Sequence, residues 1–359
     1  MGTLEGSSPP GDRRSSHQTG TGPVEKAGPA PPARHGSVVR CYYDPGYFFP
    51  LPAEHPFPMD KFWRSEALLR ESGRRDLEIL SAPPATLEQL QRVHTGAYLE
   101  QIASGSLDHA ATVRLGLPAG PELLLRSRRE VGGTIAAAHA AWERGCACNL
   151  AGGTHHAFAD RGLGYCVLND VATAIRDLEA RHGRPRILVL DTDAHQGNGT
   201  HGLLAGEPHL FTYSIHVGRN YPAVKTPGTM DVELPRYASG TEYLEQLKAS
   251  LGVVTQTFTP DLVFWIAGAD VHERDRFGQL RLTDADIAAR DQHILDLARQ
   301  HGWRLVALYG GGYNVNRLHT ARIHAQTVLR VADAAANGLE RAVTPARSAR
   351  AKSAPRLAS

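Results

Sequence analysis

The sequence predicts an α/β protein built on a parallel β-sheet, and three observations lead to this fold class. From Val38 onward, strand-like apolar runs alternate with helical patterns, as they do in βα units. Residues 187–190 are four consecutive branched apolar residues, which is typical of a strand buried on both faces. Polar residues follow this run and several others directly, as expected where parallel strands end at a ligand site.

Local patterns predict the individual elements in turn. Asp170 is the predicted N-cap of a helix over 171–182, which Gly183 ends. Thr283 begins a later helix, where Asp286 three residues on completes a capping box. The remaining predicted elements are strands at 187–190, 210–215, 262–266 and 305–308 and a helix at 242–257.

Composition narrows the class of protein. The chain has 359 residues, 42% of them hydrophobic, so it can bury a large core as one domain or as two. Its formal net charge is +2 and its basic residues are dispersed, so no nucleic-acid partner is predicted. No apolar run suits a bilayer or a signal peptide, which predicts a cytoplasmic protein without a membrane partner. The 4 cysteines are too few for a disulfide framework, and Cys146 and Cys148 are interpreted as small buried residues.

Both ends of the chain differ in composition from the middle. Residues 1–36 are rich in proline, glycine and serine, and residues 341–359 are basic and poor in large apolar side chains. Such segments bury too little apolar surface to fold. We therefore predict disordered tails at 1–36 and 341–359 and a folded catalytic domain at 37–340.

Two carboxylates and an imidazole stand at alternate positions after the strand-like run: Asp191, Asp193 and His195. Side chains two apart in an extended chain point the same way, so these groups are expected to converge past the strand's carboxyl end. Aspartate and histidine are common metal ligands, which predicts a metal site. Taken alone, the pattern fits a turn or a helix cap equally well.

Other strand-like runs also end in chemically active residues. Asp270 and Tyr313 follow two of them, and the tandem His155-His156 stands in a glycine-rich loop. A metal with three protein ligands leaves room for water and substrate, lowers the pKa of that water towards about 7 and polarises a carbonyl. The histidines can serve as base and acid and the tyrosine as an oxyanion donor, a set that suits amide hydrolysis, although each also fits a purely structural role. Three further histidines are interpreted as structural: His55, His94 and His216.

These residues stand in motifs that resemble the histone deacetylase superfamily in order and approximate spacing, over about residues 38–337. The resemblance implies the arginase/deacetylase fold, a single α/β domain with a central, mainly parallel sheet of about eight strands and helices on both faces. Segments 55–61 and 320–323 resemble class IV deacetylases and their bacterial relatives, which leaves longer fatty-acyl substrates open. The motifs are Gly153-Thr154-His155-His156-Ala157, Gly164-Tyr165-Cys166-Val167-Leu168-Asn169-Asp170, Asp191-x-Asp193-x-His195-x-Gly197-Asn198-Gly199-Thr200, Gly268-Ala269-Asp270 and Gly311-Gly312-Tyr313.

The resemblance also implies roles for individual residues. A zinc ion, for which Fe(II) can substitute on the same donors, takes the ligands Asp193, His195 and Asp270. The catalytic residues are His155 with its partner Asp191, the general base and acid His156 with its partner Asn198, and Tyr313. The walls of an acyl-lysine tunnel include Gly164, Tyr165, Tyr221, Phe277, Gly311 and Gly312. A structural potassium ion is implied at Asp191, Asp193, His195, Ser214 and Ile215.

Departures from family patterns bear on the substrate. Asn198 replaces the acid of class I enzymes and should lower the pKa of His156. Phe277 stands where acetylpolyamine hydrolases carry an acidic gatekeeper, and Gly197 replaces an aspartate that a two-manganese arginase needs. A non-catalytic acyl-lysine binding protein would lack part of the catalytic set. The prediction is a zinc-dependent deacylase for an acyl-lysine protein or peptide, with a small acylated amine as the alternative and the oligomeric state open.

Overall fold

The computed structural model describes residues 38–339, so the predictions for the tails at 1–36 and 341–359 lie outside the described residues. The described part forms one sheet of eight strands in the order β2-β1-β3-β8-β7-β4-β5-β6, and every neighbouring pair is parallel. The strands are β1 Val39–Tyr42, β2 Leu77–Leu80, β3 Cys146–Asn149, β4 Ile187–Asp191, β5 Leu210–Val217, β6 Met230–Leu234, β7 Leu262–Ile266 and β8 Arg304–Leu308.

The centre of the sheet is covered on both faces. Every residue of β3, β4, β5, β7 and β8 is buried, although successive side chains of a strand point to opposite faces. The predicted fold class, an α/β protein with a parallel sheet of about eight strands, is therefore confirmed. Strand β4 runs one residue beyond the predicted 187–190, so that Asp191 is still paired with its neighbours Ser214 and Ile266.

Ten helices accompany the sheet within residues 38–339. They are α1 Lys61–Glu71, α2 Leu87–Gln91, α3 Gly96–Ser104, α4 His109–Leu115, α5 Pro121–Arg144, α6 Asp170–His182, α7 Asn198–Leu204, α8 Gly240–Thr257, α9 Asp284–His301 and α10 Arg317–Ala336. None of them is long and apolar enough to cross a membrane. Cys146 and Cys148 are buried in β3, as the sequence predicts.

The predicted N-cap of α6 is wrong. The cap is Asn169, whose side chain accepts a hydrogen bond from the amide of Ala172 at 2.9 Å. Asp170 is the first helical residue, and its carboxylate instead accepts from the amides of Gly153 at 3.0 Å and Thr154 at 2.8 Å. Asp170 therefore fixes the loop that leads into the tandem histidines, rather than the end of its own helix.

Capping boxes also begin the two later helices whose starts the sequence predicts. At α9, Thr283 and Asp286 form the reciprocal hydrogen bonds that the sequence predicts. At α8 the cap is Ser239, and Glu242 reaches back to it from the third helical position. The helix therefore begins at Gly240, two residues before the predicted start.

Candidate active site

Four neighbouring strands of the sheet bring the candidate residues together. The loop after β3 carries His155 and His156, and the loop after β8 carries Tyr313. Asp270 follows β7, and Asp193 and His195 follow β4. Because all these strands are parallel, their carboxyl ends lie at the same edge of the sheet, where open α/β sheets bind ligands. Residues as far apart in the sequence as His155 and Tyr313 thus meet at one place.

Asp193, His195 and Asp270 form a buried group with the spacing of metal ligands. His195 Nδ1 lies 3.1 Å from Asp193 Oδ1 and 2.9 Å from Asp270 Oδ2. Atoms that share one metal at about 2.0–2.2 Å lie about 3 Å apart, so the group fits a single ion. The outer carboxylate oxygens are held by backbone amides, Ala194 on Asp270 at 2.9 Å and Gly311 on Asp193 at 2.6 Å.

The protonation pattern of this group also suits a metal. His195 Nε2 lies 3.3 Å from the carbonyl oxygen of Phe277, which can only accept, so Nε2 can donate a proton there while Nδ1 binds an ion. Burial, reinforced by the charge of Asp193, raises the pKa of Asp270 to about 7. A divalent cation between the two carboxylates would offset that cost.

Two other groups of metal-type side chains in residues 38–339 have explanations without a metal. In the group of Glu179, Glu207 and His209, the guanidinium of Arg176 lies between the two carboxylates and donates to both. In the group of His272, Asp284 and His319, the amide of Arg274 donates to His272 Nδ1 at 3.1 Å. The neutral imidazole therefore carries its proton on Nε2, the nitrogen that faces His319, and this atom cannot bind a metal. The group after β4 and β7 is therefore the best candidate.

The tandem histidines differ in their partners and in their pKa. His155 Nδ1 lies 2.6 Å from Asp191 Oδ2, and His156 Nδ1 lies 2.8 Å from Asn198 Oδ1. Burial alone would lower the pKa of His155, but the charges of Asp191 and Asp193 reverse this and raise it to about 9. Burial, together with the charges of His155 and His195, holds the pKa of His156 well below its usual range.

His156 is consequently arranged as a free base. The amide oxygen of Asn198 only accepts, so Nδ1 of His156 carries the proton and Nε2 keeps its lone pair. Asn198 is uncharged, so it adds no negative charge that would raise the pKa of His156. The low pKa has the direction that the sequence analysis predicts. Such an imidazole is neutral near pH 7 and can accept a proton from water.

Tyr313 is positioned by a carboxylate that the sequence analysis missed. Asp275 accepts from the amides of Tyr313 at 2.6 Å, Phe277 at 2.9 Å and Gly278 at 3.0 Å. Burial and the nearby negative charges hold the pKa of the Tyr313 hydroxyl well above 10, so it remains a donor. Asp275 gives no local signal of this role, because the amide of Tyr313 lies 38 residues further along the chain.

A cavity of about 330 Å³ leads from the surface to these residues. The predicted tunnel residues that line it are Gly164, Tyr165, Tyr221 and Phe277, together with His156, His195 and Tyr313. A side chain at Gly164 would meet Tyr221 at 2.9 Å and His156 at 3.0 Å, and Gly164 has a φ of +52°. Only glycine therefore suits this part of the wall.

A smaller cavity of about 30 Å³ lies beyond the first and shares His156, Gly164, Tyr165 and Tyr313 with it. Its lining includes the buried charged residues Lys61, Arg126 and Glu130. Arg126 and Glu130 pair at 2.6 Å, and Lys61 donates to the carbonyl of Gly310 at 2.9 Å. The sequence analysis assigned no site role to these three, which come from α1 and α5.

The two predicted tunnel glycines differ. Gly311 lines the inner cavity, whereas Gly312 lines neither cavity. A side chain at Gly312 would point to Thr320 and His324 of α10, so the prediction that Gly312 is a tunnel residue is wrong.

The remaining predicted residues lie beside the site. Ser214 and Ile215 are buried in β5, with Ser214 paired to Asp191, and the potassium site there stays a prediction. Of the histidines interpreted as structural, His216 is buried within 3.0 Å of Ser214, His94 accepts from the amide of Asn169, and His55 contacts the carbonyl of Gly116. None of these three histidines lines either cavity.

Comparisons with known proteins agree with this geometry. Residues 55–329 match the family model described as a histone deacetylase domain. An uncharacterized protein of Picosynechococcus sp. is 39% identical over 275 residues, covering 76% of this chain and 92% of that protein. Histone deacetylase 2 of Arabidopsis thaliana is 31% identical, covering 81% of this chain and 78% of that protein. The crystal structure of the HDA15 HD domain superposes with a TM-score of 0.71 at 22% identity, covering 85% of this chain and 94% of that one, which is a likeness of fold.

Proposed function

Because the chain belongs to the histone deacetylase family, a family of amide hydrolases, we propose that it is a zinc-dependent deacylase for acyl-lysine side chains of proteins or peptides. The observation that carries the proposal is the meeting of a buried Asp-His-Asp group, a neutral imidazole and a phenol at the inner end of one cavity. Iron(II) suits the same donors, and zinc is proposed because nitrogen and carboxylate ligands with open positions are typical of catalytic zinc.

The cavity suits an acylated lysine side chain. Its walls include the rings of Tyr165, Tyr221 and Phe277, with Tyr165 and Phe277 5.9 Å and 5.2 Å from the ring of Tyr313. Aromatic walls favour the methylenes of a lysine stem, while the polar groups at the inner end meet the amide. The acylated amide thus enters the cavity first, and the protein or peptide that carries the lysine stays at the mouth of the cavity.

Each catalytic side chain has one task in the proposed hydrolysis. A zinc ion held by Asp193, His195 and Asp270 would supply Lewis acidity to the attacking water and to the amide carbonyl. His156 Nε2 takes the proton of that water and later returns it to the departing amine. The hydroxyl of Tyr313 donates to the carbonyl oxygen as negative charge develops there. His155, whose pKa is raised by its partner Asp191 and by Asp193, would place a positive charge at the inner cavity that it lines.

The inner cavity favours a short acyl group. Its volume of about 30 Å³ holds a water or two, and Lys61, Arg126 and Glu130 in its wall are charged. A long aliphatic chain entering there would displace a buried ion pair and leave charges unpaired, which is costly. We therefore propose acetyl as the acyl group, in preference to the fatty-acyl chains that the class IV resemblance leaves open. A structural potassium ion near Ser214 belongs to the same proposal.

A small acylated amine is the second candidate, and it is less favoured. Acetylpolyamines carry further cationic amines that need nearby carboxylates. The residues that line the cavity of about 330 Å³ include no aspartate or glutamate, and Phe277 stands at the expected gatekeeper position.

The test is a matched panel of substrates. Zinc-loaded protein is assayed on an acetyl-lysine peptide, a long-chain acyl-lysine peptide and acetylputrescine, with and without a hydroxamate. We expect hydroxamate-sensitive turnover that is fastest on the acetyl peptide, and none in the Asp270→Asn variant. Preference for acetylputrescine would transfer the proposal to small amines, and a fully active Asp270→Asn protein would refute the metal mechanism.

A further inference from the structure

The mouth of the substrate cavity is positively charged. Two arginines, Arg114 and Arg276, line it and are exposed, and neither forms an ion pair with a carboxylate of residues 38–339. No aspartate or glutamate is among its lining residues. The two arginines are therefore the fully charged side chains that line this cavity, although Arg114 also lines a neighbouring surface cavity together with Asp108 and Asp160.

Arg114 is fixed to the wall of the cavity through its backbone. It lies in the last turn of α4, and its carbonyl accepts from the amide of Gly164 at 3.0 Å. The next residue, Leu115, accepts from the amide of Tyr165 at 2.8 Å. Two consecutive hydrogen bonds thus set the position of this arginine relative to the tunnel.

Arg276 stands on the other wall beside Phe277, with its guanidinium 5.6 Å from the ring centre. The acid beside it in sequence, Asp275, does not neutralise it, because that carboxylate points inward to the amides of Tyr313, Phe277 and Gly278. The next nearest acid in the loop, Glu273, pairs with Arg274. Arg276 is therefore free to meet a ligand.

The deep charges do not cancel the charge at the mouth. The carboxylates of Asp193 and Asp270 carry two negative charges, which the proposed divalent ion balances. Among the residues that line the cavity, the two arginines then carry the unbalanced charge, and opposite charges on a substrate are attracted to such side chains.

We propose that Arg114 and Arg276 are specificity residues that select acyl-lysines flanked by aspartate or glutamate in a peptide. The inference rests on the proposed deacylase function and names its substrate class. It also gives a second reason why a polycationic acylated amine is a poor substrate, because such a carrier would meet two like charges at the entrance.

The experiment compares three acetyl-lysine peptides with blocked termini that differ only in the flanking residues: glutamate, glutamine or lysine. The ratio of kcat/KM for the glutamate peptide to that for the glutamine peptide is measured at low and high salt. Proteins are the wild type, Arg114→Gln, Arg276→Gln and the double variant. Arg274→Gln is the control, since Arg274 is an arginine of the same loop that does not line the cavity.

We expect the wild type to prefer the glutamate peptide over the glutamine peptide, and to turn over the lysine peptide most slowly. Each Arg→Gln change should reduce the ratio about 1.5- to fivefold, the range for an exposed charge pair, and the double variant should bring it near one. High salt should reduce the wild-type ratio in the same way, because exposed charges are screened within about 10 Å at 0.1 M salt. The Arg274→Gln protein should keep the wild-type ratio.

The inference would be overturned if the double variant kept the wild-type ratio, or if the wild type turned over all three peptides equally. Turnover of the glutamine peptide would show in either case that the protein is a deacylase. Free acetyl-lysine, which has its own carboxylate, is assayed beside the three peptides. Faster turnover of it than of the glutamate peptide would refute the choice of a peptide carrier. Absence of turnover on all three peptides would overturn the proposed function and this inference with it.

Discussion

Replacing Gly311 with alanine should weaken binding of the proposed metal without unfolding the protein. A Cβ atom at Gly311 would lie 2.3 Å from Asp270 Oδ2 and 2.7 Å from Asp193 Oδ2, distances that real Cβ contacts essentially never show. Both atoms belong to proposed metal ligands, so both carboxylates must move by about 1 Å, a displacement that is costly at a catalytic centre. The amide of Gly311 also donates to Asp193 at 2.6 Å, and this hydrogen bond would move with them.

The size of the effect follows from this geometry. Changes to a single partner of a metal ligand cost about 10- to 100-fold in metal affinity. Because this substitution displaces two of the three proposed ligands, we expect a loss of zinc affinity of about 100-fold, which corresponds to about 2.8 kcal/mol of binding free energy. The fold should survive, since Gly311 is only partly buried and lies in the loop after β8.

The assay is a zinc titration against a competing chelator, with circular dichroism of the metal-free protein as the check on folding. Gly252→Ala is the matched control, because a side chain there in α8 would meet nothing within 4 Å. A folded Gly311→Ala protein that binds one zinc ion with wild-type affinity would refute the assignment of Asp193 and Asp270 as ligands.

Three further variants test other parts of the site and fold. Tyr313→Phe keeps the ring and removes the proposed oxyanion donor, so kcat should fall about 10²- to 10³-fold while zinc still binds; a kcat within threefold of wild type would exclude that role. Asn198→Asp places a negative charge 2.8 Å from the Nδ1 atom of His156 and so raises the pKa of this histidine. The acid limb of the pH profile of kcat/KM should therefore move upward by about one pH unit or more. An unmoved limb would mean that another group titrates. Burial would raise the pKa of Asp177, but hydrogen bonds including one from His139 at 2.7 Å reverse this and lower it below the unfolded value of about 3.9. Its ionised form therefore stabilises the fold above about pH 4, and this contribution is lost as pH falls through the folded pKa. Asp177→Asn should make the urea midpoint fall less steeply between pH 6 and pH 3, and an unchanged slope would contradict the linkage.

The parts of the fold that could be predicted from sequence are those set by local patterns. The strand at 187–190 and the capping box at Thr283 depend on residues within a few positions of one another. The sequence could predict that the candidate residues lie together, because each of them stands in a loop after an apolar run and parallel strands end at one edge of the sheet. The strand order, which places β8 and β7 between β3 and β4, has no local signal.

The missed residues have in common that their partners are distant in sequence. The residues next to Asp170 predict that it is a helix cap, but its carboxylate accepts hydrogen bonds from the amides of Gly153 and Thr154, 17 and 16 residues earlier. Lys61 reaches the carbonyl of Gly310 across 249 residues. Polar groups of this kind are assigned only once tertiary structure shows which buried amides and carbonyls need a partner.

The most direct test of the account is a zinc titration of activity. Metal-free protein is supplied with increasing zinc, and acetate release from an acetyl-lysine peptide is measured beside the His156→Ala variant. The account predicts no turnover without metal, a linear rise that ends at about one zinc per chain, and a variant that binds zinc and stays inactive. Full turnover by the metal-free protein, or normal activity of His156→Ala, would contradict it.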